Sequence, residues 1–288
     1  MTIPPGLLPV RPVDMHKGEA GCVYVLAGSV VFSGAAALCT VGGLRVGAGL
    51  VTLGLPARLY EPMVGKLTEA ILRALPETSA GTLSLKGVPQ IIQDIEGMDA
   101  VAIGPGLSQE PETTALVRHL LPKIAQPVVL DADGLNALAE DVALLTTRAH
   151  PTILTPHVGE MARLTQLSPE EIQRDRERIA REFATRYHVI VVLKGHRTVV
   201  AQQDGMVYVN ETGNPGMASG GMGDVLTGMI AGLLGQHCAP FDAARLGVYL
   251  HGAAGDRAAT ERGQIGLLAS DLADRIPQVI RQYQLLPT

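Results

Sequence analysis

A glycine-rich loop followed at once by an aspartate is the stretch of the sequence whose residue types could do chemistry. Residues 213–228 read GNPGMASGGMGDVLTG, with five glycines within eleven residues and Asp224 directly after the last of them. An apolar helical pattern then begins. The N-terminus of a helix offers free N–H groups and a partial positive charge, and glycines let the backbone close around an anion. The loop therefore predicts an anion site, and phosphate is the usual anion bound in this way.

Asp224 could serve this loop in two ways. It could cap the helix and interact with its dipole, which is worth roughly 0.5–2 kcal/mol, or it could be a general base for a hydroxyl that attacks phosphorus. The local pattern alone favours the two interpretations equally. The loop is not a Walker sequence, because no Lys-Ser/Thr pair follows the last glycine, and it is not a GxGxxG loop after a strand.

Composition and charge exclude several classes of protein. The 288 residues are 47% apolar and 18% charged, which is typical of a globular chain with ample core material. A net charge of −5 without a basic block argues against nucleic acid as a partner. The three cysteines lie far apart and fit neither a disulfide framework nor a CxxC metal site, so they favour a reducing cytosol.

One charge-free segment is long enough to raise the question of a membrane span. It runs from Ala20 to Leu44, but glycines interrupt it, and Gly28-Ser29 separates a strand-like part from a helix-like part. We therefore predict two buried elements rather than a span. The N-terminal residues have no basic region before an apolar run, so we expect no secretory signal. Together these features predict a cytoplasmic protein without a membrane partner.

Short apolar, β-branched runs recur along the chain, and helical patterns follow them. Continuous apolar runs are typical of strands covered on both faces, and alternating strands and helices predict a mostly parallel sheet with helices on both sides. We predict a single domain over residues 1–288. The predicted elements are strands at 23–27, 50–54, 100–104, 127–131 and 189–194, helices at 33–47, 111–121, 157–165 and 168–186, a hairpin over 197–209 that turns at Asp204-Gly205, and a mostly helical region at 224–286.

Several predicted strands end in residues that could take part in a site. In such a sheet, ligands bind outside the carboxyl ends of the strands. Pro105-Gly106, the segment from Asp131 to Gly134, and Lys194-Gly195 should therefore meet at one edge, where the glycine-rich loop could join them. Asp131 and Asp133 could be associated with a metal. Asp-x-Asp-Gly after a strand is also an ordinary helix-entry turn, which is the interpretation we favour.

Five segments taken together resemble one known family. They are HKGEAGCVYVLAGS (16–29) with SGAAAL and LRVGAGLVT (33–52), GPGL (104–107), DADGLNAL (131–138), TPHVGEMARL (155–164), and LKGHRT with GNPGMASGGMGDVLTGMIAGLL (193–234). The combination is similar to the ribokinase-like kinases and, within them, to the ADP- or ATP-dependent NAD(P)H-hydrate dehydratases. The resemblance covers nearly the whole chain. It implies an α/β fold of three layers, α/β/α, with a mostly parallel central sheet.

The resemblance also implies a reaction, the repair of damaged nicotinamide cofactor. NADH or NADPH that has gained water at C6 of its ring (NADHX or NADPHX) is phosphorylated on that hydroxyl, and the loss of phosphate then regenerates NAD(P)H. Bacterial members of the family typically use ADP rather than ATP, which gives AMP. The family further implies Mg²⁺ and a homotetramer. An epimerase domain often precedes the dehydratase, and we expect any epimerase activity to come from another protein.

The family's functional positions can be carried over to individual residues. Asp224 matches the aspartate of the GGxGD motif, the expected catalytic base, which also contacts the substrate. The resemblance implies an anion hole formed by Gly220, Gly221, Met222 and Gly223. It implies nucleotide binding by Lys194, Gly195, His196, Arg197, Thr198 and Gly223.

The remaining positions implied by the resemblance concern the dinucleotide and the metal. Ala35, Gly106 and His157 match positions that lie against the hydrated dinucleotide, and Glu160 matches a position near magnesium-bound water. Many ribokinase-like kinases have asparagine where His157 stands. The alternative for His157 and Glu160 is an ordinary helix start with a glutamate on its first turn. For Ala35 and Gly106 the alternative is close packing.

Two other functions are compatible with the same motifs. One is a ribokinase-like kinase of a small vitamin-precursor alcohol, such as hydroxyethylthiazole or hydroxymethylpyrimidine. His157 in TPH and the HKG…GS opening favour the dehydratase over this kinase. The other is a non-catalytic nucleotide-binding regulator, against which the presence of both Asp224 and Lys194 counts.

Overall fold

The computed structural model describes residues 6–285. Residues 1–5, which begin the segment considered for a secretory signal, and 286–288, which include the end of the predicted helical region, lie outside the described residues. The strands are β1 Cys22–Leu26, β2 Leu50–Pro56, β3 Ile71–Leu75, β4 Ala100–Ile103, β5 Val128–Leu130, β6 Thr152–Leu154, β7 Ile190–Leu193, β8 Val199–Ala201 and β9 Val207–Val209. The α-helices are α1 Ser33–Arg45, α2 Tyr60–Val64, α3 Val88–Ile95, α4 Pro111–Leu120, α5 Ala132–Ala139, α6 Val158–Thr165, α7 Pro169–Arg174, α8 Arg176–Tyr187, α9 Met222–Gly235, α10 Pro240–Arg262, α11 Ala269–Ala273 and α12 Ile276–Gln284.

The strands form one sheet in the order β3-β2-β1-β4-β5-β6-β7-β8-β9. Every pair from β3 to β7 is parallel, and only β8 and β9 run antiparallel to their neighbours. Parallel neighbours need crossover connections, which the helices supply. The predicted mostly parallel sheet and the β8–β9 hairpin are confirmed. The carboxyl ends of the parallel strands consequently lie at a common edge.

Apolar side chains cover both faces of the sheet. Within β1, Val23 and Val25 join one buried cluster, whereas Tyr24 and Leu26 join another, because successive side chains of a strand point to opposite faces. The first cluster packs under α1, α9 and α10, and the second under α4, α5 and α8. The resulting three layers explain why the strands read as continuous apolar runs.

The structure also corrects the predicted elements. The single helix predicted at 168–186 is wrong, because Asp175 has a non-helical backbone (φ −149°, ψ 63°) that separates α7 from α8. Its carboxylate then accepts the N–H of Arg178 and starts α8. Strands β3, which is largely exposed, and β6, which is buried, were not predicted. The helices α2 and α3 were also missed, and α5 was anticipated only by the helix-entry interpretation of the turn from Asp131 to Gly134.

The charge-free segment from Ala20 to Leu44 contains β1 and most of α1, as predicted. Within residues 6–285, no helix has both the length and the apolar character needed to cross a membrane. Helix α1 packs closely against α9. A Cβ atom on Gly42 would lie 2.3 Å from the carbonyl oxygen of Val225, and one on Gly228 would lie 1.8 Å from that of Cys39. Glycine at these positions therefore lets the two helix backbones approach, and this contact fixes the start of α9.

Candidate active site

The glycine-rich loop leads into α9, which begins at Met222. Gly221 occupies the cap position with a positive φ of 89°, and a Cβ atom there would lie 2.4 Å from Cδ1 of Leu38. No side chain makes a capping hydrogen bond at this position. Asp224 instead lies in the first turn, so the interpretation of Asp224 as the cap residue is wrong. Its carboxylate remains at the positive end of the helix dipole.

The backbone N–H groups at the start of α9 are free to bind a ligand. In the part of the chain that the structure describes, the N–H groups of residues 220–224 have no protein acceptor. The first N–H groups of any helix lack a partner within the helix. Here a glycine loop precedes them, and a Cβ atom on Gly220 would meet no atom within 4 Å. The geometry therefore suits an anion at this point.

Lys194 lies beside this turn, at the end of β7. Its Nζ atom is 2.5 Å from Oδ1 of Asp131 and 3.7 Å from Oε2 of Glu160. A Cβ atom on Gly223 would lie 3.4 Å from the same Nζ atom. Lys194 therefore brings together the carboxyl ends of β5 and β7, the first turn of α6 and the first turn of α9.

Asp131 has a second buried partner on α9. The residue is only 1% exposed, and its Oδ2 atom accepts a hydrogen bond of 2.7 Å from the hydroxyl of Thr227. Thr227 follows Asp224 by about one helical turn. One carboxylate thus connects Lys194 on β7 with the helix that carries Asp224. The sequence analysis missed Thr227, because nothing in its local pattern indicates a partner that lies 96 residues away.

Asp133 has protein partners of its own. Its carboxylate accepts the backbone N–H of Ser108 at 2.8 Å and the side-chain amide of Asn136 at 3.1 Å. These bonds tie the start of α5 to the loop after β4. They agree with the helix-entry interpretation of the Asp-x-Asp-Gly turn.

Burial and neighbouring charges set the protonation of the site. Burial, together with the negative charge of Asp131, raises the pKa of Asp224 to about 7, although Lys194 opposes the shift. Burial lowers the pKa of Lys194, but Asp131 and Glu160 outweigh it and hold that pKa above its usual value. Lys194 is therefore charged, and Asp224 can take up and release a proton near neutral pH. That range suits a general base.

His157 and Glu160 form a reciprocal cap at the start of α6. Nδ1 of His157 accepts the N–H groups of Gly159 at 2.9 Å and Glu160 at 3.2 Å, and the carboxylate of Glu160 accepts the N–H of His157 at 2.7 Å. The helix-start alternative therefore describes their local bonding. Because Nδ1 is an acceptor, Nε2 carries the proton of a neutral ring. Nε2 lies 3.4 Å from Oε1 of Glu160, and the His157 side chain is 56% exposed, so the ring edge also faces solvent.

Ala35 and Gly106, both predicted to lie against the dinucleotide, lie close to each other. Gly106 has a positive φ of 65°, and a Cβ atom on it would lie 3.0 Å from Cβ of Ala35 and 2.6 Å from the carbonyl oxygen of Phe32. The pair lies where the loop after β4 meets the start of α1. Val31 and Phe32 next to it are 76% and 52% exposed, an apolar surface that the sequence analysis missed.

The segment from Gly195 to Thr198 is a turn that Arg176 supports. The Arg176 guanidinium donates to the carbonyl oxygens of Leu193 at 2.7 Å and His196 at 2.6 Å. Within the turn, the hydroxyl of Thr198 donates to the carbonyl of Gly195 at 3.0 Å. His196 and Arg197 line a cleft beside α7 and α8, whereas Lys194 lies between the carboxylates of Asp131 and Glu160. The residues of the predicted nucleotide segment therefore lie in two different environments, the cleft and the buried carboxylates.

Helix α10 holds both ends of the glycine-rich loop. The carboxylate of Asp256 accepts the N–H of Gly213 and the side-chain amide of Asn214, both at 2.9 Å. At the other end, Nε2 of the buried His251 lies 2.9 Å from the carbonyl oxygen of Met222. Burial lowers the pKa of His251 to about 4, so the ring is neutral near pH 7 and donates this bond. The sequence analysis missed both α10 residues.

The carboxylates of the site do not form a set of direct metal ligands among the described residues. In residues 6–285 no group of three or more His, Cys, Asp or Glu side chains could hold a metal ion. The Oε2 atom of Glu160 accepts the His157 N–H, and Oε1 lies 3.4 Å from Nε2 of His157. A carboxylate engaged in this way fits an outer contact to Mg²⁺ through water, since Mg²⁺ retains several waters when it binds to proteins.

Comparisons with known proteins identify the family of the chain. The family model for NAD(P)H-hydrate dehydratase matches residues 23–278. The chain belongs to this family. It is 49% identical over 277 residues to the bifunctional NAD(P)H-hydrate repair enzyme Nnr of Moorella thermoacetica, covering 96% of this chain and 52% of that protein. The chain thus spans about half the length of this relative.

A relative of similar length comes from Bacillus subtilis. The ADP-dependent (S)-NAD(P)H-hydrate dehydratase of that organism is 38% identical over 277 residues, covering 96% of this chain and 95% of the relative. A crystal structure of the ADP/ATP-dependent dehydratase from B. subtilis, co-crystallised with ATP/Mg²⁺, superposes with a TM-score of 0.82. It is 36% identical and covers 96% of this chain and 94% of that one. The predicted three-layer ribokinase-like fold is confirmed.

Proposed function

We propose that the protein catalyses the ADP-dependent dehydration of hydrated NADH or NADPH back to the reduced cofactor, with AMP and phosphate as the other products. Membership of the NAD(P)H-hydrate dehydratase family supports the substrate class. The observation that carries the proposal is the first turn of α9. There a carboxylate with a pKa raised to about 7 lies beside consecutive backbone N–H groups without protein acceptors.

The proposed reaction begins with proton transfer to Asp224. The C6 hydroxyl of the hydrated ring loses its proton to the carboxylate as its oxygen attacks the terminal phosphorus of ADP, and the bond from that phosphorus to AMP breaks. The N–H groups of residues 220–223 stabilise the charge on the phosphoryl oxygens during transfer. The C6–O bond then breaks, phosphate leaves, and a proton is lost from the adjacent carbon. The C5=C6 double bond of NAD(P)H is thereby restored.

The other predicted residues have supporting roles in this proposal. Ala35, Gly106 and His157 hold the dinucleotide, and the segment 194–198 with Gly223 holds the nucleotide. Glu160 would hold Mg²⁺ through water. When bound, the ion would supply positive charge that neutralises part of the charge on the phosphate oxygens. The co-crystal of the B. subtilis protein with ATP/Mg²⁺ supports these cofactors for this chain. A homotetramer and a cytoplasmic location belong to the same proposal.

The test is a substrate comparison. Purified protein is incubated with hydrated NADH, Mg²⁺ and ADP, while the absorbance band of reduced nicotinamide and the formation of AMP are followed together. We expect absorbance to return with one AMP formed for each NADH. Parallel reactions contain hydroxyethylthiazole or hydroxymethylpyrimidine with ATP. Phosphorylation of either alcohol without recovery of NADH would contradict the proposal and favour the vitamin-precursor kinase.

A further inference from the structure

The imidazole of His251 makes a buried polar contact at the start of α9. His251 lies on α10, is 8% exposed, and places Nε2 2.9 Å from the carbonyl oxygen of Met222, the first residue of α9. The ring is neutral near pH 7, because burial lowers its pKa to about 4, so Nε2 donates this bond. Burying a polar ring costs free energy, and an aliphatic side chain could pack between the two helices without that cost. Packing alone therefore does not account for a histidine at this position.

The peptide unit between Met222 and Gly223 links this contact to the anion hole. A peptide unit is planar and trans, so its carbonyl oxygen and its N–H group lie in one plane and point in opposite directions. A donor that fixes the direction of the Met222 carbonyl therefore also fixes the direction of the Gly223 N–H. This N–H is one of the groups without a protein acceptor in the described part of the chain. The bond from His251 also polarises the peptide unit, which makes the N–H a stronger donor to an anion.

Helix α10 also supports the loop that leads to this turn. The hydroxyl of Thr212 donates to the carbonyl oxygen of Tyr249 at 2.9 Å, and a Cβ atom on Gly252 would lie 2.2 Å from that hydroxyl oxygen. A Cβ atom on Gly255 would lie 2.4 Å from Sδ of Met217. Glycines on this face of α10 thus allow the loop to lie directly against the helix. Contacts within the protein therefore define the shape of the loop from its first residues to Met222.

We propose that His251 is a positioning residue for phosphoryl transfer, which orients the Gly223 N–H toward the transferring group through the Met222–Gly223 peptide. This role rests on the proposed function. A donor in an anion hole stabilises the transition state only when it points to the place where charge develops. A misplacement of about 1 Å can cost about 10²-fold in rate. Loss of the His251 bond should therefore lower kcat more than the affinity for ADP.

Two variants with the same amide group test the bond. In His251→Gln the amide nitrogen takes the place of Nε2, whereas in His251→Asn it takes the place of Nδ1 and falls short of the Met222 carbonyl. We expect kcat with hydrated NADH and ADP to stay near the wild-type value in His251→Gln and to fall about 10–100-fold in His251→Asn. The KM for ADP should change little in either variant. An equal loss of kcat in both variants, or no loss in His251→Asn, would overturn the proposal.

A second measurement does not need turnover. Inorganic phosphate is titrated into protein labelled with ¹⁵N-glycine, and the amide signal of Gly223 reports binding at the start of α9. We expect the same Kd for the wild type and His251→Gln, and a Kd about tenfold weaker in His251→Asn. One common Kd for all three proteins, or no binding to the wild type, would count against His251 as a positioning residue. If the wild type fails to regenerate NADH, the proposed function is wrong, but this titration still decides the role of His251.

The control for stability is Val117→Ala. Val117 is 2% exposed on α4 and belongs to the buried cluster on the other face of the sheet from α9. This variant should melt earlier than the wild type, with kcat and the Kd for phosphate unchanged. A fall in kcat as large as that of His251→Asn would mean that lost stability alone explains the effect, and the proposal would be wrong. If His251→Asn does not fold, His251→Leu, which fills the space without a donor, replaces it in both measurements.

Discussion

Two titratable residues beside the first turn of α9, the half-buried Asp224 and the buried His251, have pKa values displaced in opposite directions. The pKa of Asp224 is raised from 3.8 to about 7, and the pKa of His251 is lowered from 6.5 to about 4. Burial is the main cause of both shifts. Burial disfavours the charged form of each group. The carboxylate is therefore ready to accept a proton near neutral pH, while the imidazole remains a neutral donor to the Met222 carbonyl.

These shifts predict opposite pH dependences of stability. Between about pH 4 and pH 7, the unfolded state loses the proton of Asp224 first, so this residue's contribution to stability falls as pH rises. Over nearly the same range the unfolded state protonates at His251 first, so that contribution falls as pH drops. We expect Asp224→Asn to gain stability relative to the wild type as pH rises, and His251→Gln to gain relative stability as pH drops. Urea unfolding at several pH values measures both slopes, and parallel curves for all three proteins would contradict the shifts.

Among the secondary-structure elements, α9 is positioned by buried contacts on more than one side. Asp131 joins it to β5 and β7 through Thr227 and Lys194, while α1 contacts it through glycines. The catalytic proposal requires the first turn of α9 to lie where the strands end. Contacts that fix α9 should therefore affect turnover as well as stability.

Thr227→Val tests the first of these contacts. The substitution retains the shape of the side chain but leaves Oδ2 of the buried Asp131 without its donor, at a cost of about 1–3 kcal/mol. We expect a lower melting temperature and a lower kcat, with the KM for ADP less affected. The control is Thr40→Val, a buried helical threonine that bonds only to the carbonyl of Ala36 in its own helix. A kcat for Thr227→Val equal to that of the control would show that Asp131 does not position α9.

The contact between α1 and α9 gives a second prediction for the elements. Gly228→Ala places a Cβ atom 1.8 Å from the carbonyl oxygen of Cys39, so the backbones must separate, at a cost of about 1–3 kcal/mol or more. The matched control is Gly34→Ala, since a Cβ atom at this position of α1 meets nothing within 4 Å. Thermal melting of both variants checks the prediction. Equal melting temperatures would mean that the helices do not need glycine at position 228.

At the scale of the whole molecule, one sheet carries a buried apolar cluster on each face. The apolar runs that form β1, β2, β4, β5 and β7 could be predicted, because helices cover them on both faces. The exposed strand β3 was not predictable in this way, because its side chains are mostly outside the core. The residues at the strand ends were also predictable. Their partners Thr227, His251 and Asp256 were not, because each contact joins residues that are distant in sequence.

We propose that the chain folds as one domain, and this predicts a single unfolding transition. All nine strands that the structure describes belong to one sheet, so neither half has a separate core. Urea unfolding followed by circular dichroism and by tyrosine fluorescence should give coincident curves, as expected of cooperative unfolding. Two separated transitions, each retained in a fragment of the chain, would show two domains instead.

The most direct test of the proposed reaction is the turnover of Asp224→Asn with hydrated NADH and ADP. The amide cannot accept the hydroxyl proton, and general-base catalysis contributes roughly 10²–10⁴-fold in rate, so turnover should fall by about two to four decades. Melting should show no loss at neutral pH, because the variant removes a half-buried carboxylate whose pKa is raised to about 7. Calorimetry should show nearly unchanged binding of ADP. Near-normal turnover in a variant that melts much earlier than the wild type would mean that Asp224 only supports the helix, and the proposed mechanism would be wrong.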